Sequence, residues 1–316
     1  MPASLPLLMA LAATNLAALG CGDGGNGPSS SGALGPIGPM PAGLSGKVAL
    51  ATSQRITTSS GTNLESRVHV VDMASLTETV VYTSPDAFIE GLTWSPDGGH
   101  IVMQSRSSNL DTLRLHRLAV TGTDDQIIFD GRGPESHPAY SGDGRLAYFA
   151  RSSDDPAAGI HVDGSPIHQV SYDASSYLAW APDGRSLIYT GGFPGGLLRL
   201  PLPEEAVTVL VTPEAGETIT QPAVSPDGGH IAFMRFGGTR DHQEIWVATS
   251  SGAEAHRLTA GSGDGSPAWT PDGAYIAFSR LGGSAPGIYV IAPAGGTPQR
   301  IIGVPAPGAG VIAWSR

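Results

Sequence analysis

Only one cysteine, Cys21, occurs in the 316 residues, so no disulfide forms within the chain and packing must close the fold. Basic residues are scarce: 17 Lys and Arg stand against 28 Asp and Glu, a formal net charge of -11. Phosphate backbones are held by clustered cations, so this balance argues against a nucleic-acid partner. No G-x-S-x-G nucleophile elbow is present, which removes the hydrolase domain that such a serine would serve. Aromatic residues make up only 6%, which gives weight to any position where they recur.

What is abundant is punctuation, with 44 glycines and 26 prolines, and it is periodic. The stretch "PAWTPDGAYIAFSR" is preceded by "PAVSPDGGHIAFMR" from Pro222, "LAWAPDGRSLIYT" from Leu178, "PAYSGDGRLAYFAR" from Pro138 and "LTWSPDGGHIVMQSR" from Leu92. The turn aspartates Asp97, Asp143, Asp183, Asp227 and Asp272 are spaced by 46, 40, 44 and 45 residues, and each is followed by a glycine: Gly98, Gly144, Gly184, Gly228 and Gly273. A fixed period of this size marks a repeat architecture.

Each copy reads as a bulged hairpin. Proline presets φ at the second turn position in four of the copies, aspartate suits the third, and glycine takes the left-handed conformation that returns the chain. The strand after the turn, such as Ile276-Ala277-Phe278, is apolar on both faces and is expected to be covered on both. Two further β-rich runs, such as those from Glu244 and Ala255, bring the unit to four antiparallel strands, the size of a propeller blade. Trp94, Trp180 and Trp269 are then plugs between blades, each burying ~150–250 Å². Trp314 falls 45 residues after Trp269, where another repeat should open, and the chain stops there. The missing strands are "KVALATSQ", "RVHVVDM" and "ETVVYTS", from Lys47, Arg67 and Glu78. The expected fold is an all-β, six-bladed propeller over 47–316, closed by the last strand joining the first three.

Residues 1–20 form an apolar run leading to Cys21, read as a signal peptide. "ALGC" resembles a bacterial lipoprotein processing site, and 21–46 then reads as a lipidated cysteine with a flexible Gly/Ser/Pro tether. An ordinary cleaved signal with an incidental cysteine is the alternative. Either route exports the protein to the cell envelope.

The repeated "PAWSPDG-x-x-IAF-x-S" pattern from Lys47 onward resembles the TolB-like propeller repeat, a relative of the WD-type repeat. The resemblance implies an exported propeller presenting a binding face. The expected role is a protein-interaction or ligand-binding module for an envelope protein or peptide, as a monomer without cofactor, touching the membrane only through its lipid. The family's namesake carries an α/β domain before its propeller, in the place read here as leader and tether.

Two sets of residues stand out as candidates. Glu135, His137, Asp173, Gln221 and Asp264 precede first strands, near the expected channel mouth. His137 and Gln221 stand where the similar oligogalacturonate lyases hold a metal, so a metal-dependent lyase or hydrolase acting on carbohydrate or a small ester is the alternative function. His100 and His230 are explained by the repeat, and Asp241, His242 and Glu244 read as a solvated loop tip. The second set is Arg106, Arg151, Arg235 and Arg280 at the ends of second strands, with Arg55 comparable. They form either an anion-accepting rim or pairs with loop carboxylates such as Asp154 and Asp241. The reading favoured here is a non-enzymatic interaction module.

Overall fold

The computed structural model describes residues 34–316 except 36–37, 39, 59–60, 108–112, 130–134, 151–158, 171–176, 192–195, 204–205, 238–242, 261–262, 305–308 and 316. Its described elements are 24 strands in six four-stranded antiparallel sheets. Blade 1 joins β24 (Ala309–Trp314) to β1 (Lys47–Thr58), β2 (Gly61–Asp72) and β3 (Thr77–Ser84). Blade 2 holds β4 (Ala87–Trp94), β5 (His100–Ser107), β6 (Leu113–Ala119) and β7 (Asp125–Phe129). Blade 3 holds β8 (Glu135–Tyr140), β9 (Leu146–Ala150), β10 (Gly159–Val162) and β11 (Ser165–Gln169). Blade 4 holds β12 (Leu178–Trp180), β13 (Ser186–Gly191), β14 (Gly196–Pro201) and β15 (Thr208–Val211). Blade 5 holds β16 (Thr218–Val224), β17 (His230–Phe236), β18 (Glu244–Thr249) and β19 (His256–Arg257), and blade 6 holds β20 (Asp264–Trp269), β21 (Ile276–Arg280), β22 (Gly287–Ile291) and β23 (Gln299–Gly303). The ring closes between the termini, with Trp314 opposite Val48 and Ile312 opposite Leu50.

The core lies between blades. Six apolar clusters each unite two neighbouring sheets, and the second strands supply their centre: Leu50, Ile101, Phe149, Ile188, Phe233 and Phe278 are all inaccessible or nearly so. A single blade could not cover both faces of these strands, so stacking around the axis supplies the hydrophobic driving force.

Tryptophan adds a directed bond to this packing. Trp94, Trp180 and Trp269 donate Nε1–H to the carbonyls of Ala313, Ala139 and Ala223 in the preceding blade, at 3.1, 3.1 and 3.0 Å. In each case the acceptor directly precedes the aromatic slot of its own repeat, filled by Trp314, Tyr140 and Val224. Trp314 breaks the series and donates instead to Ser45, at 2.7 Å.

The Asp-Gly turns share one scheme. Gly98, Gly144, Gly184, Gly228 and Gly273 have φ of 65°, 92°, 67°, 73° and 69°, and each donates its N–H to the residue three before it. The hydroxyls of Ser95, Ser141, Ser225 and Thr270 donate to the turn aspartate at 2.5, 2.5, 2.6 and 2.6 Å. Those bonds hold the Asp97, Asp143, Asp227 and Asp272 carboxyls below the usual carboxylate range. Blade 4 has Ala181 at the hydroxyl position.

Candidate functional site

The face opposite the Asp-Gly turns carries the longer loops and the ends of the second strands. Three of the predicted arginines are described there with their partners, and each is closed within its own blade. Arg280 forms a two-pronged pair with fully buried Asp264, Nε to Oδ1 at 2.6 Å and Nη2 to Oδ2 at 2.7 Å. Arg106 pairs with Glu90, and Arg235 with Glu217 and, at 2.9 Å, Glu214. These carboxylates lie on the innermost strands or their lead-in. They are not the loop acids expected from the sequence, because the first strand runs antiparallel beside the second and brings its loop-face end next to the arginine. Arg55 is exposed on the β1–β2 ribbon. Cys21, Arg151, Asp154, Asp173, Asp241 and His242 lie outside the described residues, as does the side chain of Glu135.

Aromatic rings lie under these guanidiniums. Arg235 stands 4.5 Å from the Trp246 ring centroid, Arg280 4.6 Å from Tyr289 and 5.3 Å from Phe278, and Arg106 5.9 Å from Phe88. On blade 5 this opens into a cleft of about 370 Å³ lined by Glu214, Glu217, Arg235, Glu244, Trp246 and Arg257. Glu244 corrects its reading as a loop tip. It opens β18, opposite Arg235 in register, accepts from Trp246 Nε1 at 3.2 Å and pairs with Arg257 at 3.0 Å, and the strand register with these two contacts holds it on the sheet.

At the axis, His137, Gln221 and Ser266 occupy one structural slot, three residues before Tyr140, Val224 and Trp269. All three are left-handed, with φ of 52°, 54° and 51°, and each sits within a bulge of its strand. Such a backbone costs a non-glycine residue about 1–3 kcal/mol and persists only where its surroundings fix it. Here neighbouring blades do so: His137 N–H donates to Gln104 Oε1 at 2.8 Å, and Ser266 N–H to Gln221 Oε1 at 2.7 Å. Gln104 Nε2 also donates to Glu90 at 2.8 Å, while burial pushes the Glu90 carboxyl up against the pull of Arg106. His137 packs against Tyr177 with ring centroids 3.8 Å apart, and burial lowers its pKa to about 3, so it is neutral. Asp264, placed by the sequence at this mouth, is committed to Arg280. Among the described residues no three of His, Cys, Asp and Glu converge as metal ligands.

Two cross-strand relays carry no signal in the sequence. In blade 1, Thr52 Oγ1 lies 2.8 Å from His69 Nε2, and His69 Nδ1 lies 2.7 Å from Glu78 Oε1. In blade 2, Ser105 Oγ lies 2.9 Å from His116 Nε2, and His116 Nδ1 2.9 Å from Asp125 Oδ1. The order hydroxyl, imidazole, carboxylate is that of a nucleophile triad. Both hydroxyl residues are buried, so the relays fasten three successive strands and offer no nucleophile to solvent.

No family model matches the sequence, and no curated protein matches it. Solved structures do. TolB from Acinetobacter baumannii aligns over 87% of this chain and 68% of its own with a TM-score of 0.68 at 19% identity. A putative TolB from Agrobacterium tumefaciens aligns over 77% of this chain and 92% of its own, with a TM-score of 0.62 at 20% identity. A chain of a nidogen/laminin complex aligns over 85% and 98%, with a TM-score of 0.67 at 10% identity. At these identities the likeness establishes the fold.

Proposed function

We propose, taking the TolB-like six-bladed propeller as premise, that this protein is a non-enzymatic interaction module of the bacterial cell envelope, exported and anchored by lipid on Cys21, which binds a protein or peptide on its loop-rich face. The observation that carries the reading is the recurrent unit of arginine, carboxylate and aromatic ring on that face, in blades 2, 5 and 6. Arginine and aromatic side chains held rigid by neighbours are the residue types that anchor protein interfaces. Because each guanidinium already has its carboxylate, the rim offers paired charges and hydrogen-bonding edges. Such a rim suits a polar, partly charged partner better than a free anion. The nidogen/laminin complex supports this reading as an example of such a ring in a protein complex.

The test is photo-crosslinking in the native envelope from exposed positions on the two faces. Probes at Arg55 and Glu214 lie on the loop-rich face, and probes at Thr121 and Glu254 on the turn face. Discrete adducts from the first pair alone support the reading, whereas equal adducts from both faces, or from the turn face alone, overturn it. Metabolic labelling with a palmitate analogue, lost in Cys21→Ser, tests the anchor separately.

A further inference from the structure

The chain's own N-terminal segment covers the outer edge of blade 6. Gly35 N–H donates to the Gly303 carbonyl at 2.8 Å and Gly38 N–H to the Ile301 carbonyl at 2.9 Å, so the segment runs antiparallel to β23. Leu34, Met40 and Leu44 pack against the apolar cluster between blades 6 and 1. The segment then passes the end of the closing strand: Ser45 accepts from Trp314, and Gly46 accepts from Met73 N–H at 3.0 Å before β1 begins.

Glycine is required along this path for steric reasons. A Cβ on Gly38 would lie 2.9 Å from the Arg300 carbonyl oxygen, and one on Gly35 3.2 Å from Gly303 backbone. At Gly46 it would meet Trp314 Nε1 at 3.0 Å, on a backbone with φ of +85°. The composition that reads as a flexible tether is here what lets backbone approach backbone.

We infer that the described residues of 34–46 form a strap built into the ring, which caps the edge of β23 and seats the tryptophan of the closing blade. At most residues 22–33 then lie between Cys21 and the strap. On the proposed anchoring at Cys21, which this geometric consequence rests on, that stretch reaches about 40 Å at full extension.

Hydrogen exchange on the full chain in detergent tests the strap whether or not lipid is attached. The amides of Gly35 and Gly38 should exchange at least tenfold slower than their intrinsic rates, with β23 also protected. Gly38→Val should return these two positions to the intrinsic rate and speed exchange in 299–303 about tenfold, while Ala42→Ser, at an exposed position, leaves both unchanged. Exchange of the Gly35 and Gly38 amides at the intrinsic rate in the unaltered chain overturns the strap, and that reading stands alone should the valine variant misfold. Protection without palmitate incorporation keeps the strap and removes only the membrane geometry.

Discussion

The two faces of the ring are built by different means. On the turn face, five Asp-Gly turns repeat one hydrogen-bonding scheme that lies within about seven residues of sequence. On the loop-rich face, each arginine finds its carboxylate differently: Glu90 within β4, Glu217 and Glu214 ahead of β16, Asp264 at the start of β20. The first face is fixed locally and copied. The second depends on the register of particular strands, and this leaves it open to variation between blades without loss of the ring. Binding surfaces are commonly placed on such loops over a rigid scaffold.

The contrast is broken most forcefully at Arg280. Removing it strands Asp264, a carboxylate with no exposure, inside the sheet. Arg280→Ala should therefore cost about 3–5 kcal/mol, the usual result of leaving one partner of a buried pair alone. The double variant Arg280→Met with Asp264→Leu should recover most of that loss in denaturant unfolding. A cost below about 1 kcal/mol for the single variant, the range of exposed pairs, would place the loop-rich face on the same footing as the turns.

Acid sharpens the comparison next. His137 has an ordinary value of 6.5 and is pushed down to about 3 by burial. At pH 7 it is neutral folded or unfolded. Below pH 6.5 the unfolded chain takes up a proton that the folded chain refuses, so stability falls continuously toward pH 3, by about 2 kcal/mol at pH 5. His137→Asn should flatten the profile between pH 6.5 and 5. The flattening is partial, because burial also lowers the pKa of His69, and Glu90 cancels in the difference. Asp97, Asp143, Asp227 and Asp272 are ionised throughout this window: with their pKa values held below the ordinary 3.8, their share of stability is lost only under about pH 4. Identical slopes for the two proteins between pH 6.5 and 5 would remove His137 as the source.

What the sequence made legible follows the same division. Blade count, strand order and the closure of Trp314 onto Val48 were readable because turn, slot and period are local signals repeated five times. His137 and Gln221 were visible as sharing a place, but the sequence set it ahead of the first strand, whereas both lie inside β8 and β16, in bulges that a search for regular alternation passes over. Ser266 was not visible, since a small polar residue at that position carries no chemistry until its left-handed backbone is seen. The relays were hidden because Thr52, His69 and Glu78 meet diagonally across three strands, as do Ser105, His116 and Asp125. Bulges such as those at Ile89/Gly91 and Gly265/Ala268 shift the register beside the rim, and no fixed spacing therefore links an arginine to its carboxylate. The inferred strap has no signal of its own for a simpler reason: glycine and proline are as common in flexible chain as in chain whose purpose is close approach.

The smallest expected effects fall on the turn face, where one blade already contains the experiment. In blade 5, Ser225 donates to Asp227 at 2.6 Å and accepts from His230 N–H at 2.9 Å, and the residue is buried. Ser225→Ala should cost about 1 kcal/mol, the net worth of such bonds. In blade 4, Ala181 stands at the same point of a turn of the same length, with Asp183 in the aspartate position and Ser186 where His230 stands. A serine there would find both partners in place, so Ala181→Ser should stabilise the ring by up to about 1 kcal/mol in thermal or denaturant unfolding. Because turns in separate blades share no partner, the two changes should add to within ~0.5 kcal/mol when combined. If Ala181→Ser destabilises, or if the pair departs strongly from additivity, then the turns are not independent copies, and the distinction between a locally written face and a register-dependent one loses its basis.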